Sequence, residues 1–349
     1  MKKILVIKQT SLGDVLHATG HIRSIKEAYP DAQLYVMTAT SSALIYRHHP
    51  CIDKLILIDR YRVKHHGPRH PLWAISYMLE VLKEIRSHQF DLAIDLQGLA
   101  KSVFFLYFAH AKKKVVKGRW WGLIGFRDKH LHAIKEMDEV LCVAGIPVCD
   151  SHMAFHTESA AKQCISDVLS RINPAQKPLV IMSAFSRWQS KDWPLTHYLT
   201  VARAVSQRAK VIFTGDKDRA PEITQLISAQ ANPDIVNLAG QLSLSEFAEL
   251  CARATCMVTG DSFPMHVCVA KHTPVIALFG PTNESRVGPL GADDQVIRAP
   301  DCLRCDRADC PKKCLEKLPT ETVISALENQ LDTLTSALGP VDVCHSRDL

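Results

Sequence analysis

The chain lacks several features that would narrow its function at once. No apolar run among its 349 residues reaches the length of about 20 that a membrane-spanning helix needs. No G-x-x-x-x-G-K-[ST] pattern occurs, which argues against a P-loop nucleotide triphosphatase. The opening M-K-K-I-L-V-I-K-Q-T is charged too early for a secretory signal, so we expect a cytoplasmic protein. Internal repeats and low-complexity segments are also lacking.

Charge is distributed unevenly along the chain. Residues 1–150 hold 22 Lys and Arg against 14 Asp and Glu, and the remaining residues hold 20 against 22. A basic first half predicts an anionic partner, such as phosphate groups, an acidic lipid surface or nucleic acid, with ordinary surface charge as the alternative. No recognised nucleic-acid-binding motif accompanies the basic residues, so we do not expect nucleic acid as the partner.

Short apolar runs alternate with helical patterns through most of the chain, which predicts the α/β class with parallel sheets. We predict two Rossmann-like domains, residues 1–155 and 178–338, joined by a linker at 156–177 and facing a central cleft. We expect the last helix, Thr320–Leu338, to pack back on the first domain. The predicted strands are Lys3–Lys8, Gln33–Met37, Leu55–Ile58, Leu92–Leu96, Pro178–Met182, Val211–Thr214 and Ile235–Leu238, followed by Met257–Thr259 and Pro274–Phe279.

The stretch Cys256–Asn283 predicts a site for a phosphorylated ligand. Its two apolar runs end in G-D-S and G-P-T turns, and between them lies a helical pattern that opens with Asp261 and Ser262. A helix N-terminus at the ends of two strands offers backbone N–H groups and positive potential to a phosphate. His266 lies one turn into this helix.

Three further loops follow predicted strands. The Asp14 carboxylate of S-L-G-D is suited to act as a general base, or it merely caps the helix that follows. In S-A-F-S-R-W-Q-S-K-D-W-P, Lys191 either neutralises a phosphate or is a solvated loop cation. In F-T-G-D-K-D, Asp216 either accepts a bond from a ribose hydroxyl or caps a helix.

Four cysteines are close together in the sequence, in the pattern Cys302-x₂-Cys305-x₄-Cys310-x₃-Cys314. Four thiolates suit a structural zinc or iron ion, and free thiols or disulfides are the alternatives. A catalytic metal is not expected there, because four thiolates leave no open coordination position.

Taken in order, these motifs resemble the family 9 glycosyltransferases, the ADP-heptose:lipopolysaccharide heptosyltransferases. The resemblance begins at K-I-L-V-I-K-Q-T-S-L-G-D-V-L-H-A-T and continues through D-L-Q-G-L, S-K-D-W-P and L-A-G-Q-L-S-L. It ends with G-D-S-x-P-M-H and L-F-G-P-T, so it covers nearly the whole chain. It implies a GT-B fold and a metal-independent, inverting transfer of heptose from ADP-heptose to the inner core of lipopolysaccharide.

The resemblance also implies roles for individual residues. Asp14 corresponds to the catalytic base, and Lys191 lies next to the donor diphosphate. Phe263 stands where the family usually has Gly, which predicts an altered local geometry around the donor. Ala184 stands where the family often has a hydroxyl residue. The implied donor-binding residues are Ser183, Ala184, Ser186, Asp216, Leu242, Asp261, Ser262, Phe263 and His266.

The basic segments of the first half predict an anionic acceptor. A phosphorylated lipid A/Kdo-type lipopolysaccharide acceptor, presented at the inner face of the inner membrane, fits them, which makes the protein peripheral on that face. The alternatives are a different nucleotide-sugar donor or a nucleotide-sugar 2-epimerase. The candidate acceptor-binding residues are Arg60, Arg62, Lys64, Lys101 and Arg119.

Overall fold

The computed structural model describes residues 1–228 and 231–337, which form two compact units. The first comprises Met1–Lys162 with Leu244–Ala248 and Ser285–Val287. The second comprises Gln163–Ser243, Glu249–Glu284 and the described residues from Gly288 onward. The predicted end of the second domain at residue 338 lies outside the described residues.

The first unit is built on a six-stranded parallel sheet with the order β3-β2-β1-β4-β5-β6. Its strands are β1 (Lys3–Ile7), β2 (Gln33–Ala39), β3 (Lys54–Ile58), β4 (Gln89–Asp95), β5 (His110–Lys117) and β6 (Ile124–Phe126). Its helices are α1 (Leu12–His17), α2 (Thr19–Ala28), α3 (Ala43–Arg47), α4 (Arg60–His65), α5 (Pro71–Arg86), α6 (Ala100–Phe108) and α7 (Ala133–Ala144).

Helix α8 (Ser159–Ile172) follows, and a second six-stranded parallel sheet has the order β12-β11-β10-β7-β8-β9. Its strands are β7 (Leu179–Ser183), β8 (Lys210–Thr214), β9 (Ile235–Asn237), β10 (Cys256–Gly260), β11 (Val275–Phe279) and β12 (Gln295–Arg298). The remaining helices are α9 (Leu195–Val205), α10 (Ala220–Ser228), α11 (Leu244–Arg253), α12 (Phe263–Ala270), α13 (Glu284–Val287) and α14 (Thr320–Ala337).

The two sheets share one topology, and this topology decides where a ligand site can form. Each begins with a central strand, β1 or β7, winds outward through two strands, and then returns to pair the fourth strand with the first. The reversal leaves a crevice at the carboxyl ends of β1 and β4, and another at the carboxyl ends of β7 and β10. The predicted α/β class with two parallel sheets is thus confirmed.

The central strands form because their sequences are apolar on both faces. In β1, the run I-L-V-I is fully buried between β2 and β4. Helices cover both faces of such a sheet, so its inner strands have no polar side. Helices α5 and α6 cover one face, where Val81, Ile85, Val103 and Phe105 join the core.

Strand β5 was not among the predicted strands, because its run of lysines conceals the strand pattern. After the S-L-G-D turn, the chain forms two helices, α1 and α2, which divide at Ala18. The described part of α14 packs on α9 within the second unit.

Candidate active site

The side chain of Asp14 lies at the crevice of the first sheet. Asp14 is in α1, which begins a few residues after β1 ends. Its Oδ2 accepts hydrogen bonds from the Ser11 N–H at 2.9 Å and from Ser11 Oγ at 3.0 Å. The carboxylate therefore caps its own helix. Capping is compatible with acid–base chemistry, because an ionised carboxylate offers about four lone-pair directions on its two oxygens.

Lys8 is a residue of this crevice that the sequence analysis missed. It follows β1 directly, is buried, and its Nζ donates to the Leu96 carbonyl at 3.2 Å. Burial lowers the pKa of Lys8 to about 8, and the nearby Asp14 carboxylate opposes this shift. A lysine at the end of an apolar strand, just before S-L-G-D, was the signal that could have identified it.

The depressed pKa of Lys8 predicts a pH dependence of stability. The unfolded chain holds this proton up to about pH 10.5 and the folded chain only to about pH 8. Stability must therefore rise with pH across this window and be lost as pH falls through 8. A shift of this size corresponds to about 3 kcal/mol. Urea unfolding between these pH values should give a smaller rise for Lys8→Met than for the wild type, and equal slopes would contradict the assignment.

Two of the predicted acceptor residues lie with Asp14. Arg60 donates to Gln9 Oε1 at 2.6 Å, and Lys101 Nζ donates to Thr10 Oγ1 at 3.1 Å. Burial lowers the pKa of Lys101, Arg60 lowers it further, and Asp14 opposes them. The loop after β1 is thus held by two cations beside one carboxylate.

The other three predicted acceptor residues lie on the surface of the first unit. Arg62, Lys64 and Arg119 are exposed. The Arg62 guanidinium stacks over the Trp73 ring at 4.6 Å from its centroid.

Asp95, at the end of β4, organises the opposite side of the crevice. Its Oδ1 accepts bonds from the N–H groups of Gln97 (2.7 Å) and Gly98 (3.1 Å), and its Oδ2 accepts one from Ser102 Oγ (2.7 Å). Burial raises the pKa of Asp95 to about 6. Gln97 Oε1 in turn accepts the N–H groups of Gln9 and Thr10, each at 3.1 Å. The D-L-Q-G-L motif therefore fixes the loop that leads to Asp14.

In the second unit, Lys191 forms an ion pair that the sequence did not predict. Its Nζ lies 2.7 Å from Asp261 Oδ2, and both side chains are mostly buried. The ammonium also lies 4.5 Å from the centroid of the Trp188 ring. Gly260 permits this approach, because a Cβ there would lie 2.9 Å from the Lys191 carbonyl oxygen. Lys191 is therefore a positioned cation and not a solvated one.

Helix α12 begins beside this pair, as predicted from the G-D-S turn. Ser262 is its N-cap and Phe263 its first residue. The Phe263 backbone is helical, so the positive φ for which glycine would be needed does not arise at this position. His266 is buried within the helix. Ser183 pairs with Thr259 across β7 and β10, so Ser183 and the buried Ala184 adjoin the same turn.

The remaining predicted donor residues have separate surroundings. The Ser186 N–H and Oγ both donate to Asp192 Oδ1 at 2.8 Å, which closes the loop that contains Lys191. Burial raises the pKa of Asp192, a residue that the sequence analysis missed. Asp216 is exposed and is the N-cap of a short 3₁₀ helix, Lys217–Arg219, that follows β8. Leu242 is half-buried.

The four-cysteine segment lies against the Lys191 loop. Ser190 Oγ donates to the Arg307 carbonyl at 3.0 Å, and the Asp306 N–H donates to the Pro281 carbonyl at 2.8 Å. Over residues 1–228 and 231–337, no group of three or more His, Cys, Asp or Glu side chains is arranged to hold a metal ion. Cys302, Cys305, Cys310 and Cys314 are free thiols in this structure.

Each of the two doubly wound sheets has a switch point, the crevice where its strand order reverses. A carboxylate lies at the switch point of the first sheet, and a lysine and a helix N-terminus lie at that of the second. This arrangement defines a GT-B-like α/β enzyme. The chain belongs to glycosyltransferase family 9 (heptosyltransferase), whose family model matches residues 78–316. No helix among the described residues is both long and apolar enough to cross a membrane.

Individual relatives agree with this family. The chain is 25% identical over 317 residues to lipooligosaccharide heptosyltransferase 2 of Haemophilus influenzae, which covers 84% of this chain and 88% of the relative. A family 9 glycosyl transferase from Veillonella parvula superposes with a TM-score of 0.84 at 23% identity, covering 95% and 98% of the two chains. The Escherichia coli ADP-heptose heptosyltransferase II superposes with a TM-score of 0.74 at 19% identity, covering 96% and 100%.

Proposed function

We propose that the protein is an inverting heptosyltransferase that transfers heptose from ADP-heptose to the inner core of lipopolysaccharide. The observation that carries this proposal is the pairing of family 9 membership with a carboxylate held at the first switch point and a positioned lysine at the second. The relatives named lipooligosaccharide heptosyltransferase 2 support heptose as the sugar and a lipooligosaccharide as the acceptor, and the Escherichia coli ADP-heptose heptosyltransferase II supports ADP-heptose as the donor.

In the proposed reaction, Asp14 acts as the general base. An acceptor hydroxyl oxygen attacks the anomeric carbon of the heptose from the face opposite the diphosphate, and its proton passes to the Asp14 carboxylate. The bond between the anomeric carbon and the diphosphate oxygen breaks, and ADP leaves with the electron pair. A single displacement inverts the anomeric carbon, so one carboxylate suffices. The Lys8 ammonium lies close enough to the Asp14 carboxylate for the two charges to interact.

The departing diphosphate is stabilised by positive potential in the second unit. Lys191 supplies an ammonium, and the N-terminus of α12 supplies backbone N–H groups and the positive end of its dipole. We assign Ser183, Ala184 and Ser262 to the phosphates, Leu242 to the adenine, and Asp216 to the ribose. The domain limits of 1–155 and 178–338, with a cleft that closes over both substrates, belong to the same proposal.

The acceptor is proposed to be anionic and lipid-linked. Arg60 and Lys101, beside Asp14, are suited to bind its phosphate groups near the reacting hydroxyl. The exposed Arg62, Lys64 and Arg119 are suited to contact more distant charges. An acceptor of this kind implies work at the inner face of the inner membrane.

We propose that the transfer requires no metal ion. An ammonium and a helix N-terminus together perform the charge neutralisation that a divalent cation performs in other transferases. Treatment with EDTA should therefore leave the transfer rate within about twofold of the untreated rate, measured by ADP release. Elemental analysis of the purified protein tests separately whether the four cysteines hold a structural zinc or iron ion, which would take no part in the transfer. A loss of activity on chelation that added Mg²⁺ restores would contradict metal independence.

A panel of ADP-, UDP- and GDP-sugars tests the function. We expect ADP-heptose alone to raise the melting temperature strongly and to yield an acceptor with one added heptose of inverted configuration. A putative UDP-N-acetylglucosamine 2-epimerase from Listeria monocytogenes shares the fold with a TM-score of 0.57, so fold alone does not separate the two activities. An epimerised free sugar nucleotide in place of a glycosylated acceptor would favour that alternative.

A further inference from the structure

Helix α5 carries an apolar face that points to solvent. Leu72, Ile75 and Leu79 are 81%, 57% and 59% exposed. Their spacing of three and four residues aligns them on one side of the helix. Val81 and Ile85 lie on the opposite side of the helix and are buried against the sheet. The helix is thus apolar on two opposite faces, and only one of them is used by the core.

The neighbouring helix α6 extends this apolar surface. Helix α6 packs against α5, and both cover the same face of the first sheet. On its outer side, Phe104 and Phe108 are 38% and 42% exposed, and their ring centroids are 4.9 Å apart. Five large apolar side chains are thus exposed on two adjacent helices, and exposed apolar groups of this size mark interaction sites. We refer to these five residues as the outer apolar surface.

Positive charge borders the outer apolar surface. The chain from residue 60 to residue 79 contains four Lys or Arg and three His, and no Asp or Glu. Arg62, Lys64 and Arg69 are exposed on α4 and in the turn that leads into α5. Arg62, Arg69 and the three histidines line an open depression of about 500 Å³, together with Tyr61 and one carboxylate, that of Asp59. Apolar side chains beside a predominantly cationic border match the chemistry of an anionic lipid bilayer.

We propose that α5 and α6 dock the protein on an anionic membrane, with the outer apolar surface inserted among the acyl chains near the headgroups. Arg62, Lys64 and Arg69 then contact lipid phosphates. This assignment rests on the proposed function in one respect, since a lipid-linked acceptor lies in a membrane. A second copy of the chain is a weaker fit, because two copies of the same cationic border would repel each other.

Vesicle co-sedimentation of the full chain tests this docking. The wild type should bind vesicles of phosphatidylcholine mixed with phosphatidylglycerol and bind pure phosphatidylcholine at least tenfold more weakly. The Leu72→Ser/Ile75→Ser/Leu79→Ser variant should lose about tenfold or more of the binding to the mixed vesicles. A matched variant, Leu290→Ser/Val296→Ser/Leu303→Ser, changes three apolar residues of the second unit that are 51%, 42% and 73% exposed, and should bind as the wild type does.

Transfer assays separate this surface from the proposed chemistry. The α5 variant should keep its rate on a water-soluble acceptor fragment and lose rate on acceptor embedded in mixed vesicles. If no acceptor is glycosylated at all, the proposed function fails while vesicle binding still decides the docking. Equal vesicle binding by the wild type and the α5 variant would overturn the docking proposal. Concentration-dependent dimers of the wild type that the α5 variant abolishes would overturn the docking proposal in favour of self-association.

Discussion

Replacement of Asp14 by asparagine should lower the rate of heptose transfer by about 10²–10⁴-fold, the usual contribution of a positioned general base. Asparagine keeps an oxygen that can accept from the Ser11 N–H and hydroxyl, so α1 should stay capped. It accepts no proton from the acceptor hydroxyl, so catalysis alone is removed. The fall should appear in kcat, with the KM for ADP-heptose nearly unchanged.

Asp91 provides a matched control for Asp14. It lies near the opposite end of the first sheet, where its Oδ2 accepts from the Lys3 N–H at 3.0 Å. Asp91→Asn should therefore transfer heptose at the wild-type rate. Transfer by Asp14→Asn within about tenfold of the wild type would remove Asp14 from the role of base. An equal loss in both variants would point to a structural effect.

Replacement of Lys191 by methionine should affect both stability and chemistry. Asp261 would then be a mostly buried carboxylate that has lost its bonded cation, and this costs about 3–5 kcal/mol. Donor binding and kcat should fall together, because the diphosphate loses its ammonium. We expect kcat/KM to fall by about 100-fold or more. The double variant Lys191→Met/Asp261→Asn should recover most of the stability and none of the transfer. Urea unfolding and steady-state kinetics on the wild type and both variants separate the two effects.

The Lys271–Glu249 pair is the control for this experiment. Its atoms are 3.0 Å apart, and its side chains are 14% and 7% exposed, close to the 16% and 7% of Lys191 and Asp261. Lys271→Met should lose comparable stability and keep its transfer rate per folded molecule. Recovery of transfer in the Lys191/Asp261 double variant would mean that the lysine serves the fold and not the donor.

The sequence was sufficient for the architecture because the central strands are apolar on both faces. The runs in β1, β7, β10 and β11 stand out against polar turns, and strand–helix alternation requires parallel pairing. Strand β5 was missed because a run of three lysines stands within it, of which Lys112 and Lys113 are exposed to solvent. Local pattern therefore fails where a strand is only half buried.

Site residues could be found only where a motif marks them. Asp14, Lys191 and Asp261 follow strands in distinctive turns, so their positions were predictable, although their roles remain predictions. The Lys191–Asp261 bond joins residues 70 positions apart, and Lys8 depends on burial for its low pKa. Local residue spacing predicts neither a bond between distant residues nor the burial of a charged side chain. Both could be identified only from the structure.

The contacts that hold Lys191 in place before any nucleotide binds also affect how a nucleotide would bind and dissociate. Asp261 and the Trp188 ring already restrain the ammonium, so little rotamer freedom is left for an arriving diphosphate to remove. Immobilising such a side chain on binding otherwise costs about 0.5–1.5 kcal/mol. Association would then be governed by diffusion and electrostatic attraction, and discrimination among nucleotides would reside in their residence times.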